Sequence, residues 1–242
     1  RLAFLVGSGN IDSMVNNYTA SKRPRRTDEY SPGGKSGFRP DRALSVYVDM
    51  VKKSYPNTPV VIGGIEASLR RFAHYDYWSD IIMPSILVDT QADMLLYGMS
   101  ETQIKTLAHG LAKGWPIHKI KDIPGTCYMS RSLPKGNKYT LISSFEEVST
   151  EKIKFAEAFQ IQSREQNPFI GSTLVQKHGD LYLVQLPPAK PLSQSEMDEL
   201  YRLPFTRTYH PRYKNAGGVP ALQEVEFSVT DHRGCFGGCS FC

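Results

Sequence analysis

The chain has 242 residues, of which 40% are hydrophobic and 22% charged, a globular composition that excludes a collagen-like, coiled-coil or wholly disordered protein. Its net charge of +5 permits an anionic partner but does not require one. The sequence has no secretory signal pattern and no apolar run of the about 18 residues that a membrane helix needs, so we expect a cytoplasmic protein without a membrane partner.

Three apolar runs, each followed by glycine, predict buried strands at residues 2–6, 59–62 and 93–97. Helical periodicity follows the first run at residues 44–51, and Ser100 with Gln103 predicts a capping box that opens a helix ending near Gly114. Alternating strands and helices are typical of α/β folds, so we predict a parallel-sheet domain over residues 1–130. Ligands of such sheets bind at the carboxyl ends of the strands.

Residues 131–221 are predicted to form a connector of mixed helices and strands. It contains a capping box at Ser144 and Glu147, a helix over 150–166, a hairpin over 173–185 and a short helix over 195–202. Apolar and polar residues then alternate at 225–229, which predicts a strand that opens a third segment, 222–242. The chain begins inside an apolar run without methionine and ends on a cysteine, so we expect an internal fragment whose first strands lie upstream.

Three of the four cysteines stand at Cys235, Cys239 and Cys242, a Cys-x3-Cys-x2-Cys spacing on a loop with two glycines. Thiolates that converge on one loop bind zinc, copper(I) or an iron–sulfur cluster. Spacing alone leaves two alternatives open. One is a zinc site with His232 or Cys127 as its fourth ligand, and the other is a redox pair formed by the last two cysteines. The remaining cysteine, Cys127, is predicted to be a small buried side chain.

Two polar features also bear on function. Residues 22–42 carry a basic stretch that predicts either a phosphate- or RNA-binding loop or, as favoured for charge runs in general, a solvated surface. A second cluster, at the carboxyl edge of the predicted sheet, is a candidate substrate pocket; its members are Glu66, Arg70, Arg71, His74 and Asp76. His74 and Asp76 have the chemistry of an acid–base pair, and packing with each polar tip satisfied is the alternative.

The sequence resembles the YgiQ-like family of the radical SAM superfamily. The three cysteines, with Phe241 before the last, match the Cys-x3-Cys-x-aromatic-Cys motif of the superfamily. The runs that match the family are residues 10–19 (NIDSMVNNYT), 31–34 (SPGG) and 63–80 (GGIEASLRRFAHYDYWSD). The resemblance covers nearly the whole chain.

The resemblance implies a [4Fe-4S] cluster held by Cys235, Cys239 and Cys242, with S-adenosylmethionine (SAM) on the open iron and Phe241 beside its adenine. It implies reductive cleavage of SAM to a 5′-deoxyadenosyl radical that acts on an unidentified substrate, with an electron donor of flavodoxin or ferredoxin type. The segment 226–230 then resembles the first strand of a partial TIM-type barrel, and residues 1–130 resemble an incomplete flavodoxin- or cobalamin-binding-like domain. Since the chain lacks an Asp-x-His-x-x-Gly pattern, bound cobalamin stays open but is not favoured.

Two kinds of rival stay open. The first is a non-enzymatic α/β binding module with a zinc knuckle that contacts RNA through residues 22–42. The second lies within enzymes and comprises a radical methylthiotransferase and a cobalamin-dependent methyltransferase.

Overall fold

A computed structural model describes residues 1–136, 138–230 and 233. The chain divides into two compact units. We call them the sheet unit (Arg1–Asp12 and Arg42–Lys190) and the loop unit (Ser13–Asp41 and Pro191–Cys242).

The sheet unit is built on a mixed β-sheet. Its strands are β1 (Phe4–Val6), β2 (Val60–Ile62), β3 (His74–Asp76), β4 (Ile81–Met83), β5 (Met94–Leu96), β6 (Thr126–Ser130), β7 (Tyr139–Ile142), β8 (Thr173–His178) and β9 (Leu181–Gln185). In the described part of the chain, seven of them form one sheet in the order β1-β2-β5-β6-β9-β8-β7, and β3 and β4 form a separate hairpin. The pairs β1–β2, β2–β5 and β7–β8 are parallel, whereas β6 and β9 pair antiparallel with their neighbours.

Helices cover both faces of this sheet. They are α2 (Ala43–Ser54), α3 (Gly64–Leu69), α4 (Ile86–Thr90), α5 (Glu101–Ala112), α6 (Phe145–Thr150) and α7 (Lys152–Arg164). Side chains of a strand alternate between faces. Val60 and Ile62 therefore join the core cluster that contains Leu44 of α2, while Val61 joins a second cluster with Leu107 of α5.

The α/β fold class is confirmed, and the structure refines it in two ways. The sheet is parallel only in part, and β1 is an edge strand on which Leu5 is 56% exposed, so it is not buried on both faces as predicted. The sheet also continues through β7, β8 and β9, past the border predicted at residue 130. The three-segment division of the chain stays a prediction.

The capping residues show which local predictions hold. Ser144 and Glu147 form the predicted capping box of α6. Ser100 precedes α5, but its side chain makes no cap: its hydroxyl donates to the carbonyl of Gly98 at 3.3 Å, and the amide of Gln103 donates to the carbonyl of Met99. Among the described residues, no helix has both the length and the apolar character needed to cross a membrane.

The loop unit joins two distant segments of the chain. Its helices are α1 (Ser13–Asn17), α8 (Gln194–Tyr201) and α9 (Leu222–Val225). The N–H of Gly33 donates to the carbonyl of Gly218 at 2.8 Å, and the N–H of Ala221 donates to that of Glu29 at 2.9 Å. Gly33 has φ 66°, and a Cβ there would lie 2.5 Å from the carbonyl oxygen of Ala216, so this contact requires glycine.

The predicted strand at 225–229, and with it the first barrel strand at 226–230, does not form in the described residues. Instead α9 ends at Val225, and Phe227 and Val229 are 92% and 89% exposed. Alternation favours a strand only where a neighbouring strand supplies hydrogen bonds, and no strand of the described chain pairs with this segment. Cys235, Cys239, Phe241 and Cys242 lie outside the described residues.

Candidate functional site

The predicted polar cluster begins at the turn from β2 to α3. Gly63 is extended, and Gly64 has φ +83°, a left-handed conformation that favours glycine. A Cβ on Gly63 would lie 3.3 Å from the carbonyl oxygen of Leu96 on the neighbouring strand. The glycine pair therefore serves a tight strand-to-helix turn, which brings Glu66 and Arg70 to the carboxyl edge of the sheet.

Glu66 caps a helix other than its own. Its side chain is 1% exposed, and Oε1 accepts a hydrogen bond from the N–H of Leu44, in the first turn of α2, at 3.0 Å. The N-cap residue of α2 is Arg42, which is left-handed (φ 47°, ψ 51°) and makes no side-chain cap. A carboxylate at this position satisfies a buried donor and complements the positive end of the helix dipole.

Arg42 instead turns to Asp76 on β3. Its Nη2 donates to Asp76 Oδ2 at 2.7 Å, and the N–H of Ser79 donates to the same oxygen at 2.9 Å. Burial alone would raise the pKa of Asp76, but these hydrogen bonds and the guanidinium charge outweigh it and hold the pKa below its ordinary value. Asp76 is therefore an ionised structural partner.

The two consecutive arginines point to different neighbours. Arg70 pairs with the buried carboxylate of Asp12. Arg71 donates from Nε to Gln185 on β9 at 2.6 Å, and its guanidinium lies 5.1 Å from the ring centroid of Tyr97. Arg71 thus ties α3 to the sheet, while Arg70 borders a pocket.

That pocket is small and balanced in charge. Its empty volume is about 300 Å³, part of it open to solvent. The polar residues that line it are Arg42, Ser45, Glu66, Arg70, His74 and Asp89. Two guanidinium groups face two carboxyl groups, so the pocket has no net preference for an anion or a cation.

His74 lines this pocket with a neutral imidazole ring. Its Nδ1 lies 3.1 Å from the carbonyl oxygen of Phe72; a carbonyl only accepts, so Nδ1 carries the proton. Among the described residues, the buried Nε2 has no hydrogen-bond partner. Burial lowers the pKa of His74 to about 4, so the ring is neutral at pH 7 and Nε2 is an acceptor.

The structure brings together only part of the predicted cluster. Glu66, Arg70 and His74 line the pocket, Asp76 touches it only through Arg42, and Arg71 faces the sheet. His74 and Asp76 are not hydrogen-bonded to each other. Nδ1 of His74 lies beside the carbonyl of Phe72, and Asp76 accepts from Arg42 and Ser79. The sequence reasoning missed Ser45 and Asp89, which share a 2.9 Å hydrogen bond, and placed Arg42 in the basic stretch alone. No pattern marks these residues, because only the fold brings α2 and α4 together.

The described residues hold no candidate metal centre. Within the described ranges, no group of three or more His, Cys, Asp or Glu side chains could hold a metal ion. Cys127 is fully buried on β6, and burial raises the pKa of its thiol to about 12. A metal ligand must be a thiolate, so Cys127 is the predicted small buried side chain.

Comparison of the sequence with known proteins identifies its family. The sequence matches the Radical SAM N-terminal family over residues 1–228. It is 57% identical over 242 residues to a UPF0313 protein of Clostridium botulinum (strain 657 / Type Ba4), and 52% identical to a UPF0313 protein of Methanocella arvoryzae. These alignments cover 100% of this chain but 38% and 40% of the relatives, so the chain spans about two fifths of their length.

No solved structure matches the chain. The match over 228 residues and the identity to UPF0313 proteins confirm the family resemblance found in the sequence motifs. The chain belongs to the Radical SAM N-terminal family and is related to the UPF0313, or YgiQ-like, proteins.

Proposed function

We propose that the full-length protein is a radical SAM enzyme whose [4Fe-4S] cluster is held by Cys235, Cys239 and Cys242. The observation that carries this proposal is the Cys-x3-Cys-x2-Cys motif in a chain that belongs to the Radical SAM N-terminal family. Phe241, the aromatic residue before the last cysteine, is assigned to the adenine of SAM.

The donor set fits this cofactor. Soft thiolates are the ligands of iron–sulfur clusters, and three of them leave one iron of four without a protein ligand. Cys235, Cys239 and Cys242 would hold the cluster, and the cluster would supply the electron for cleavage of the sulfonium C–S bond of SAM to methionine and a 5′-deoxyadenosyl radical, which would take a hydrogen atom from the substrate. The electron comes from a donor of flavodoxin or ferredoxin type, and a reducing, cytoplasmic environment suits such a cluster.

A zinc knuckle would need a fourth protein ligand. Cys127, one of the two candidates for that position, is a protonated thiol in the core, which disfavours it. His232 lies outside the described residues. The donor chemistry therefore supports a three-cysteine cluster over a closed zinc site.

The pocket beside β3 has a limited part in this proposal. Glu66, Arg71 and Asp76 each have a structural partner that accounts for their charge or position. The assignment of the pocket to a substrate therefore depends on His74, whose Nε2 has the chemistry to accept a hydrogen bond from a hydroxyl or amine.

The test is metal and sulfide analysis of the full-length protein after anaerobic reconstitution. We expect about four irons and four sulfides per chain, the stoichiometry of a [4Fe-4S] cluster. Cys239→Ala should lose the cluster, whereas Cys127→Ala, a matched removal of a thiol outside the motif, should keep it. One tightly bound zinc without sulfide would contradict the proposal and support the zinc-knuckle binding module.

A further inference from the structure

Two segments of the loop unit carry more basic than acidic residues, and most of these basic residues are exposed. Residues 22–39 hold six Lys and Arg residues against two acidic ones, and residues 202–218 hold four against none. Several exposed cations of these segments make no ion pair in the part of the chain that the structure describes; six of them are Arg23, Arg26, Lys35, Arg207, Arg212 and Lys214. We call these six residues the basic surface.

One of the two acidic residues in the first segment does not offset this charge at the surface. Asp28 is 3% exposed. Its carboxylate accepts hydrogen bonds from the N–H of Tyr30 at 2.9 Å and the hydroxyl of Ser31 at 2.6 Å. Asp28 therefore shapes the loop from inside, and the exposed charge is more positive than the sequence count suggests.

The fold holds the two basic segments side by side. The Pro32–Gly34 turn packs on the Pro211–Ala216 turn, which carries Arg212 and Lys214. Lys35 follows the first turn and pairs with Thr27 in a β-bridge, and the hydroxyl of Ser36 donates to the carbonyl of Arg26 at 3.1 Å. Charges that are far apart in sequence thus belong to one compact unit.

The same two segments of the loop unit carry exposed aromatic rings. Phe38 is 65% exposed, Phe205 is 55% exposed and Tyr30 is 39% exposed. Proteins that bind single-stranded nucleic acid combine cations that follow the phosphate backbone with aromatic rings on which bases stack. An acidic protein partner would use the cations but has no comparable need for several exposed rings.

We infer that the loop unit binds single-stranded nucleic acid, with the basic surface on the phosphates and with Phe38 and Phe205 under the bases. This activity goes beyond the proposed radical chemistry and does not depend on the cluster.

The test uses the full-length protein and a fluorescein-labelled 16-nucleotide single-stranded RNA, with binding followed by fluorescence polarisation over a series of salt concentrations. The triple variant Arg26→Glu, Lys35→Glu, Arg212→Glu should weaken binding at least tenfold. It should also lower the slope of log affinity against log salt by about 2, since each phosphate contact on a single strand contributes about 0.7.

A matched triple variant separates this surface from net charge. Lys138→Glu, Lys152→Glu, Lys177→Glu makes the same charge change at exposed positions of the sheet unit and should leave RNA affinity within about twofold. Both triples should keep the iron content of the parent protein, which separates failure of this inference from failure of the proposed function. Equal weakening by the two triples would overturn the inference, because binding would then follow net charge alone.

The aromatic rings give a second readout. Phe38→Ala with Phe205→Ala removes two stacking contacts; it should weaken RNA binding at least about thirtyfold and leave binding to heparin unchanged. Tighter binding of RNA than of DNA of the same sequence would identify RNA as the ligand, and the reverse would identify DNA. If the protein binds neither RNA nor DNA, the inference is overturned. This holds even if the protein binds an acidic flavodoxin-type protein.

Discussion

Replacing Glu66 by alanine removes the buried carboxylate that caps α2. The N–H of Leu44 then loses its acceptor in a region where Leu44 itself is fully buried. We therefore expect a large loss of stability from a residue that sequence reasoning assigns to a substrate pocket.

Three effects contribute to this loss. A buried donor left unsatisfied costs about 1–3 kcal/mol. The lost interaction with the helix dipole adds about 0.3–1 kcal/mol. The methylene group that alanine lacks, Cγ, contributes about 0.8 kcal/mol. The free energy of unfolding should thus fall by roughly 2–5 kcal/mol in Glu66→Ala, and by about 1 kcal/mol in Glu66→Gln, which keeps an acceptor and the methylene groups.

The assay is urea unfolding followed by tryptophan fluorescence, because the two tryptophans of the chain, Trp78 and Trp115, both lie in the sheet unit. The control is Glu147→Ala, which removes the exposed glutamate of the α6 capping box and should cost about 1 kcal/mol. An equal effect of Glu66→Ala and Glu147→Ala would refute the capping argument. If Glu66→Gln keeps stability but loses activity in the full-length protein, Glu66 has a role in the substrate site as well.

Two further predictions concern stability. Gly33→Ala should destabilise the loop unit by at least about 1 kcal/mol more than Gly37→Ala, because both glycines have positive φ but only Gly33 lacks room for a Cβ. Limited proteolysis would measure the difference, and equal protease susceptibility of the two variants would contradict the prediction. Burial lowers the pKa of His178 to about 4, so the unfolded chain takes up a proton first as pH falls, and about 3 kcal/mol of stability should be lost between pH 6.5 and 4. The fall in unfolding free energy over this range should shrink in His178→Gln, and an unchanged pH profile would rule the explanation out.

Local chemistry made much of the sheet unit predictable. The apolar runs at β2 and β5, the hairpin of β8 and β9 and the capping box at Ser144 all form as the sequence indicates. These features depend on residues close in sequence, where periodicity and capping chemistry act directly.

Pairing between distant segments was not predictable. Nothing local indicates that β6 pairs with β9, more than 50 residues later, so the sequence could not place β9 and β8 in the main sheet. The alternation at 225–229 shows the same limit, because a strand requires a partner as well as a pattern.

The candidate site was predictable in its residues but not in their roles. The run from Gly63 to Asp80 contained Glu66, Arg70 and His74, which line the pocket. It could not reveal that Glu66 caps α2 or that Arg71 faces β9, because both partners come from other parts of the chain. His74 was separable from the rest only when its buried Nε2 was seen to lack a partner.

The most direct test of the proposed function is production of 5′-deoxyadenosine by the reconstituted full-length protein. With SAM and dithionite under anaerobic conditions, the account predicts 5′-deoxyadenosine from the parent protein and from Cys127→Ala, and none from Cys239→Ala. A protein that carries four irons and four sulfides but forms no 5′-deoxyadenosine from SAM would contradict the claim that this chain belongs to a radical SAM enzyme in function as well as in family.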